Sequence, residues 1–159
     1  MISFTKWYET AAVADVLTPD KIFVPGPNLN LPRAEMPQIN RTLVPEFLNY
    51  LRENGVEVYK DQIPADQLKP IQAEINREKV IGMMKRTDLG GNPPIISSDG
   101  YILDGHHRWL AMLNATYQQG QPAEPMDVWR VDTDMRSLLG LAKKWPKTGY
   151  KNIDQMNWA

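Results

Sequence analysis

The spacing of apolar residues along this chain changes near residue 56, separating a helix and a proline-rich run from a stretch that alternates between strand and helix periods. Residues Phe4 to Leu17 predict a helix, with Trp7, Ala11, Ala14 and Val16 in a ragged apolar stripe and Pro19 stopping it. Pro19 to Pro37 holds five prolines, two of them in Pro25-Gly26-Pro27, which excludes regular helix and predicts an ordered wrap or a long arm. Within it, Met36-Pro37-Gln38-Ile39 reads as polar and proline-bearing rather than core-like, an arm that reaches a pocket or a partner. Pro45, at a first-turn position, opens a surface helix over Glu46 to Asn54, with Phe47, Leu48 and Leu51 on one side and Gly55 ending it.

From Val56 onward the pattern predicts the order βαββαβα. Val56 to Tyr59 alternates as a strand, and Leu68 to Ile71 is short and extended. Asn76 caps a helix to about Arg86 with Val80, Met83 and Met84 inward, and Leu89-Gly90-Gly91-Asn92 is a loop. Pro94 to Ser97 and Tyr101 to Leu103 are β-formers flanking Ser98-Asp99-Gly100, the chemistry of a hairpin turn. His106 to about Gln119 forms the next helix, with Trp109, Leu110, Leu113 and Tyr117 inward and Gly120 beyond its end. Met126 to Val131 alternates as a strand and Met135 to Lys144 closes as a helix; Trp7 and Trp129 read as core. The fold class is α/β in the broad α+β sense, a small mixed sheet with helices. The expected division is an N-terminal helical extension and arm at 1–55, the α+β unit at 56–144 and a tail at 145–159.

Composition narrows the chemistry. At 159 residues the chain is long enough for one domain with a substantial core. Eighteen basic against nineteen acidic side chains leave a net charge of -1, so no global field draws the protein to nucleic acid or anionic lipid. The absence of cysteine excludes disulfides, thiolate metal sites and cysteine nucleophiles. No stretch approaches the roughly 18 apolar residues of a membrane span, and the first residues lack a signal-peptide pattern, so the expectation is a cytoplasmic protein without membrane partners.

Both histidines of the chain lie in Asp104-Gly105-His106-His107-Arg108, between an apolar strand and a helical pattern. A glycine bend feeding a helix N-terminus presents backbone N–H groups and the positive dipole end, which favour phosphate. Arg108 offers a fork suited to phosphate oxygens. His106 or His107 can donate to a phosphate oxygen or shuttle a proton, their reference pKa lying near neutrality. Asp104 can bring Mg²⁺ to phosphates through water. The plainer alternative is a helix start in which Asp104 caps, Arg108 pairs with a carboxylate and one histidine packs. A zinc site is disfavoured, because adjacent histidines point apart on a helix and no third histidine or cysteine exists.

The run Ile63-Pro64-Ala65-Asp66-Gln67-Leu68-Lys69-Pro70, a helix, Pro93-Pro94-Ile95-Ile96 and then Tyr101-Ile102-Leu103-Asp104-Gly105-His106-His107-Arg108-Trp109-Leu110-Ala111 resembles the ParB/sulfiredoxin superfamily over about Val56 to Lys144. In motif it is closest to the branch that bears Asp-Gly-His-His-Arg, which is similar to the free serine kinases. The resemblance implies a site for ATP or CTP with Mg²⁺, in which Gly105, His107 and Arg108 cradle phosphates and Lys79 is aimed at the nucleotide. It also implies a catalytic glutamate near Glu74, loose by a residue or two, acting as general base on a hydroxyl. Taken without the resemblance, Glu74 is an acid favoured just before a helix and Lys79 a solvated first-turn residue. Sulfiredoxin chemistry needs a cysteine where this chain has His106, which excludes sulfinic acid reduction. Partition proteins carry a helix-turn-helix domain and a dimerisation segment after the nucleotide fold, whereas about 15 residues follow Lys144 here. Similar arms occur in small phage-encoded ParB-like proteins, which implies a phage origin and the host cytoplasm.

Three functions are consistent with these features. The first is a phosphotransferase moving a phosphoryl group from ATP to a small hydroxyl-bearing acceptor, with Glu74, His106 and His107 as catalytic candidates. The second is a ParB-like DNA-binding protein or nuclease, for which Lys143-Lys144-Trp145-Pro146-Lys147 offers cations beside an aromatic ring, although a basic helix end explains the same residues. The third is a non-catalytic nucleotide-binding module that forms an oligomer through its N-terminal extension.

Overall fold

The computed structural model describes residues 27–72, 77–84, 93–122 and 125–150. The helix expected at Phe4 to Leu17, Glu74, the Asn76 cap, the Gly90-Gly91 loop and Trp7 lie outside the described residues. Among the described residues, four α-helices, α1 (Val44–Glu53), α2 (Arg77–Met84), α3 (His106–Gln118) and α4 (Met135–Lys144), accompany four strands. The strands are β1 (Val58–Pro64), β2 (Ile95–Ile96), β3 (Ile102–Asp104) and β4 (Pro125–Val131), in the spatial order β1-β4-β2-β3. From β1 onward the chain follows βαββαβα, and the molecule is a mixed α+β fold.

The sheet combines antiparallel and parallel neighbours. β1 and β4 pair antiparallel from Val58 opposite Val131 to Pro64 opposite Pro125. β2 lies parallel to β4, with Ile95 opposite Trp129, and closes the expected hairpin with β3, with Ile95 opposite Asp104. Because successive strand side chains face opposite ways, each strand feeds two cores. Ile96, Ile102, Met126 and Val128 join Val80 of α2 and Trp109, Leu110 and Leu113 of α3 on one face. Ile95, Leu103 and Val131 join Phe47, Leu48 and Leu51 of α1 and Met135, Leu138 and Ala142 of α4 on the other. The hairpin strands are thus apolar on both faces because helices cover both.

Two expectations change. β1 runs five residues past Tyr59, because pairing with β4 carries the polar Lys60-Asp61-Gln62 as a ladder whose side chains are exposed or half-buried. Met36 and Ile39, expected to be arm rather than core, are 1% and 7% exposed and pack with α1 and α4. The two faces of a short irregular segment follow no helix or strand period, so its pattern hid this burial. The described part of the extension and Trp145 of the tail share one core with the sheet, so 55/56 and 144/145 are not breaks in packing. Trp129 is half-buried, with the Lys60 ammonium 5.2 Å from its ring centroid.

Candidate functional site

The turn from β3 into α3 is built around Gly105, whose φ of 101° is left-handed. A side chain there would also meet Pro94, whose Cβ lies 3.0 Å from the position a Cβ would take. Glycine is therefore required twice, by backbone conformation and by the close approach of the preceding hairpin strand. The first α-helical hydrogen bond is donated by Trp109 N–H to the Gly105 carbonyl at 3.0 Å. The N–H groups of His106, His107 and Arg108 precede it in the first turn, at the positive end of the helix dipole. Gly105 occupies the cap position of α3, and Asp104, the last residue of β3, stands immediately before it.

A cavity of about 740 Å³ opens at this helix start. Asp104, Gly105, His106, His107 and Arg108 all line it, and Lys79 of α2 joins them. The structure therefore brings together every candidate that falls within the described residues. Met83 and Gln72 line the same space, the latter 1% exposed. Arg108 also lines a second cavity of about 420 Å³ between α2, α3 and the start of β4, where Met83, Met84, Met112 and Met126 face it.

The two histidines separate in role. His106 is 3% exposed, and its Nε2 accepts the Ile71 N–H at 3.0 Å. A neutral ring accepting at Nε2 carries its proton on Nδ1, and protonating Nε2 would break this buried bond. This bond ties His106 and the start of α3 to the Leu68–Gln72 segment, and His106 also lines the cavity. His107, half-buried on the next helical position, keeps its place on the cavity wall. Trp109 completes the anchoring of α3 by donating its indole N–H to the Ala65 carbonyl at 2.7 Å.

Gln38 and Ile39, in the arm expected to reach a pocket or a partner, line this cavity; Asn40 and Arg41 just after them, and Lys147 and Gly149 from the segment after α4, were not expected there. Asn40 accepts from Thr42 N–H at 2.9 Å and begins a 3₁₀ turn, a local cap readable in the sequence; that the turn borders this cavity is decided by tertiary packing. Lys147 belongs to the basic run considered above for nucleic acid. It forms an ion pair with Glu46, while Trp145, two residues before it, is 7% exposed and packs in the core.

Among the described residues no group of three or more His, Cys, Asp or Glu side chains gathers as a metal cluster, and no helix is long and apolar enough to cross a membrane. The chain is 31% identical over 108 residues to an uncharacterized protein of Methanocaldococcus jannaschii. The match takes in 64% of this chain but 38% of that relative, so the chain spans well under half of the relative's length. No family model and no solved structure matches the chain.

Proposed function

We propose that this protein binds a nucleoside triphosphate at the β3–α3 turn and transfers a phosphoryl group to a small hydroxyl-bearing acceptor, as the resemblance to the ParB/sulfiredoxin superfamily implies. The observation that carries the reading is the cavity at the start of α3, where Arg108, Lys79, His107 and a glycine-bent helix terminus converge. Among the described residues, its lining includes the cations Arg41, Lys79, Arg108 and Lys147, the last paired with Glu46, and the carboxylate Asp104. In a chain whose net charge is -1, that local excess favours an anionic ligand.

In this reading the helix start and Arg108 hold phosphate oxygens, and Lys79 offsets charge on the transferring group. The acceptor oxygen forms a bond to the terminal phosphorus as the bridging P–O bond breaks, and the diphosphate departs with the electron pair. The hydroxyl proton passes to Glu74 or His107. Asp104 on the cavity lining would hold Mg²⁺ together with phosphate oxygens, and such an ion would neutralise phosphate charge.

Calorimetry with ATP, ADP and CTP, with and without Mg²⁺, tests binding. Arg108→Ala is expected to weaken ATP by about tenfold or more, the scale of one lost charge-assisted hydrogen bond. Glu74→Gln should slow transfer to small hydroxyl compounds while leaving ATP affinity near that of wild type, whereas His107→Asn should weaken ATP binding as well as slow transfer. Absence of nucleotide binding by wild type, or unchanged binding by Arg108→Ala, overturns the reading.

A further inference from the structure

The smaller cavity, of about 420 Å³, runs along α3 away from its first turn. Arg108, Ala111, Met112, Ala115, Thr116 and Gln119 line it. Their spacing of three and four residues sets them in one stripe on the helix and its C-cap, about 16 Å from end to end at about 1.5 Å per residue. Facing the stripe are Met83 and Met84 at the end of α2, Pro125, Met126 and Asp127 at the start of β4, and Gln62 of β1. Arg108 and Met83 line both cavities, so the two spaces adjoin at the first turn of α3.

Phosphoryl transfer places the attacking and leaving oxygens roughly in line on opposite sides of the phosphorus. With phosphates held at the start of α3 in the larger cavity, the acceptor needs a space that adjoins them and is not taken up by the donor. The smaller cavity is such a space, and its volume lies in the range of small-molecule sites. Its chemistry is mixed. Met83, Met84, Met112 and Met126 converge from three elements, and thioether side chains adapt to irregular shapes and contact aromatic rings favourably. The amides of Gln62, Gln119 and Gln121 supply donors and acceptors around them, and the Asp127 carboxylate supplies acceptors. Gln62 Nε2 donates to Asp127 Oδ1 at 2.9 Å, which orients both groups at the rim. Methionines edged by amides and a carboxylate match a flat ring whose edges carry hydrogen-bonding atoms; a glycerol-sized compound would leave the thioethers facing water.

We infer that the methionine-lined cavity along α3 is the acceptor pocket and that the acceptor is an alcohol bearing a flat, polar-edged ring, the chemistry of a nucleoside. This rests on the proposed phosphoryl transfer at the α3 start and adds the acceptor class. The ring lies against the methionines with its polar edge toward Gln62 and Asp127, and the hydroxyl is presented at the Arg108 end. There its oxygen bonds to the terminal phosphorus as the bridging P–O bond breaks, the diphosphate leaves with the electron pair, and the hydroxyl proton passes to the base named above.

The test uses the full chain with adenosine, cytidine and thymidine as ring-bearing alcohols and glycerol and serine as small ones. With carbon-13 in the methionine methyl groups, at least one nucleoside should shift the NMR signals of Met83, Met84, Met112 and Met126 where glycerol and serine leave them unmoved. Phosphorus-31 NMR with ATP and Mg²⁺ should then show that nucleoside becoming its monophosphate. Ala115→Phe fills the groove from a half-buried helix position, and Asp127→Ala removes a rim acceptor that is exposed; circular dichroism checks that both fold. Ala115→Phe should weaken the nucleoside by about tenfold or more and Asp127→Ala by about threefold or more, with ATP affinity within about twofold of wild type in both. Nucleosides that leave the methionine signals unmoved or are not phosphorylated, or variants that bind them as wild type does, overturn the acceptor pocket while leaving the ATP site standing. Equal weakening of ATP and nucleoside by Ala115→Phe puts the donor's own base in the groove and also overturns it. Absence of ATP binding by wild type overturns the phosphoryl-transfer reading and the acceptor role with it, even where nucleosides still move the methionine signals.

Discussion

Gly105 carries a double constraint, and its substitution separates the backbone requirement from the ligand chemistry. Gly105→Ala forces a side chain into a left-handed conformation and brings Cβ to 3.0 Å from Pro94. The expected cost is about 1–3 kcal/mol of stability, read from urea unfolding, with weakened ATP binding because the helix start must shift. Its immediate neighbours show where residue-level reading stops. A glycine between an apolar strand and a helical pattern announces the turn, so Gly105, His107 and Arg108 could be placed from the chain alone. Which of two adjacent histidines enters the core could not, because neighbours on a helix point in different directions and only the Ile71 N–H, 35 positions away, selects His106. Arg41 was equally hidden, since nothing local distinguishes a cation on a cavity wall from one in solvent.

Elements with a strong period and a side-chain cap were the most legible. α4 begins and ends where expected, because Met135, Leu138 and Ala142 form one buried stripe and Asp134 caps the first turn by accepting the Ser137 N–H at 2.8 Å. β1 was less so: its outward residues sit on an edge strand, and only the register with β4 defines its length. The cap makes a pH prediction. Hydrogen bonding from the Ser137 backbone N–H, then from the Ser137 hydroxyl, holds the Asp134 carboxyl below its ordinary value of 3.8, so the folded state favours the ionised form. A depressed folded-state pKa contributes stability that is fully present above 3.8 and is lost as the pH falls through the folded value. Asp134→Asn keeps a capping oxygen but no titrating group. Urea midpoints should place wild type above Asp134→Asn at neutral pH, the gap closing as the pH drops below 3.8. A gap that stays constant with pH would show that the charge does not act through this cap.

At the scale of the whole molecule, what could not be read was how the pieces join. The order β1-β4-β2-β3 interleaves strands far apart in sequence, and the proline-rich extension packs against the same face of the sheet as α4. Phe47 is the central joint: it is fully buried, with its ring centroid 5.1 Å from that of Trp145 and 6.1 Å from that of Tyr50. Removing it takes packing at once from the extension, the tail and the sheet. Phe47→Ala should cost about 3–5 kcal/mol, a large fraction of the stability of an ordinary domain. If the core is shared as the packing indicates, the loss appears in one cooperative urea transition followed equally by tryptophan fluorescence and circular dichroism. Amide exchange in α3 should then accelerate along with that in α1, although Phe47 lies in the core on the opposite face of the sheet. Two separate transitions, or faster exchange confined to α1, would mean that the extension folds as its own unit on a finished sheet. The Gln38–Gly149 bridge would then be held less firmly than the α3 turn.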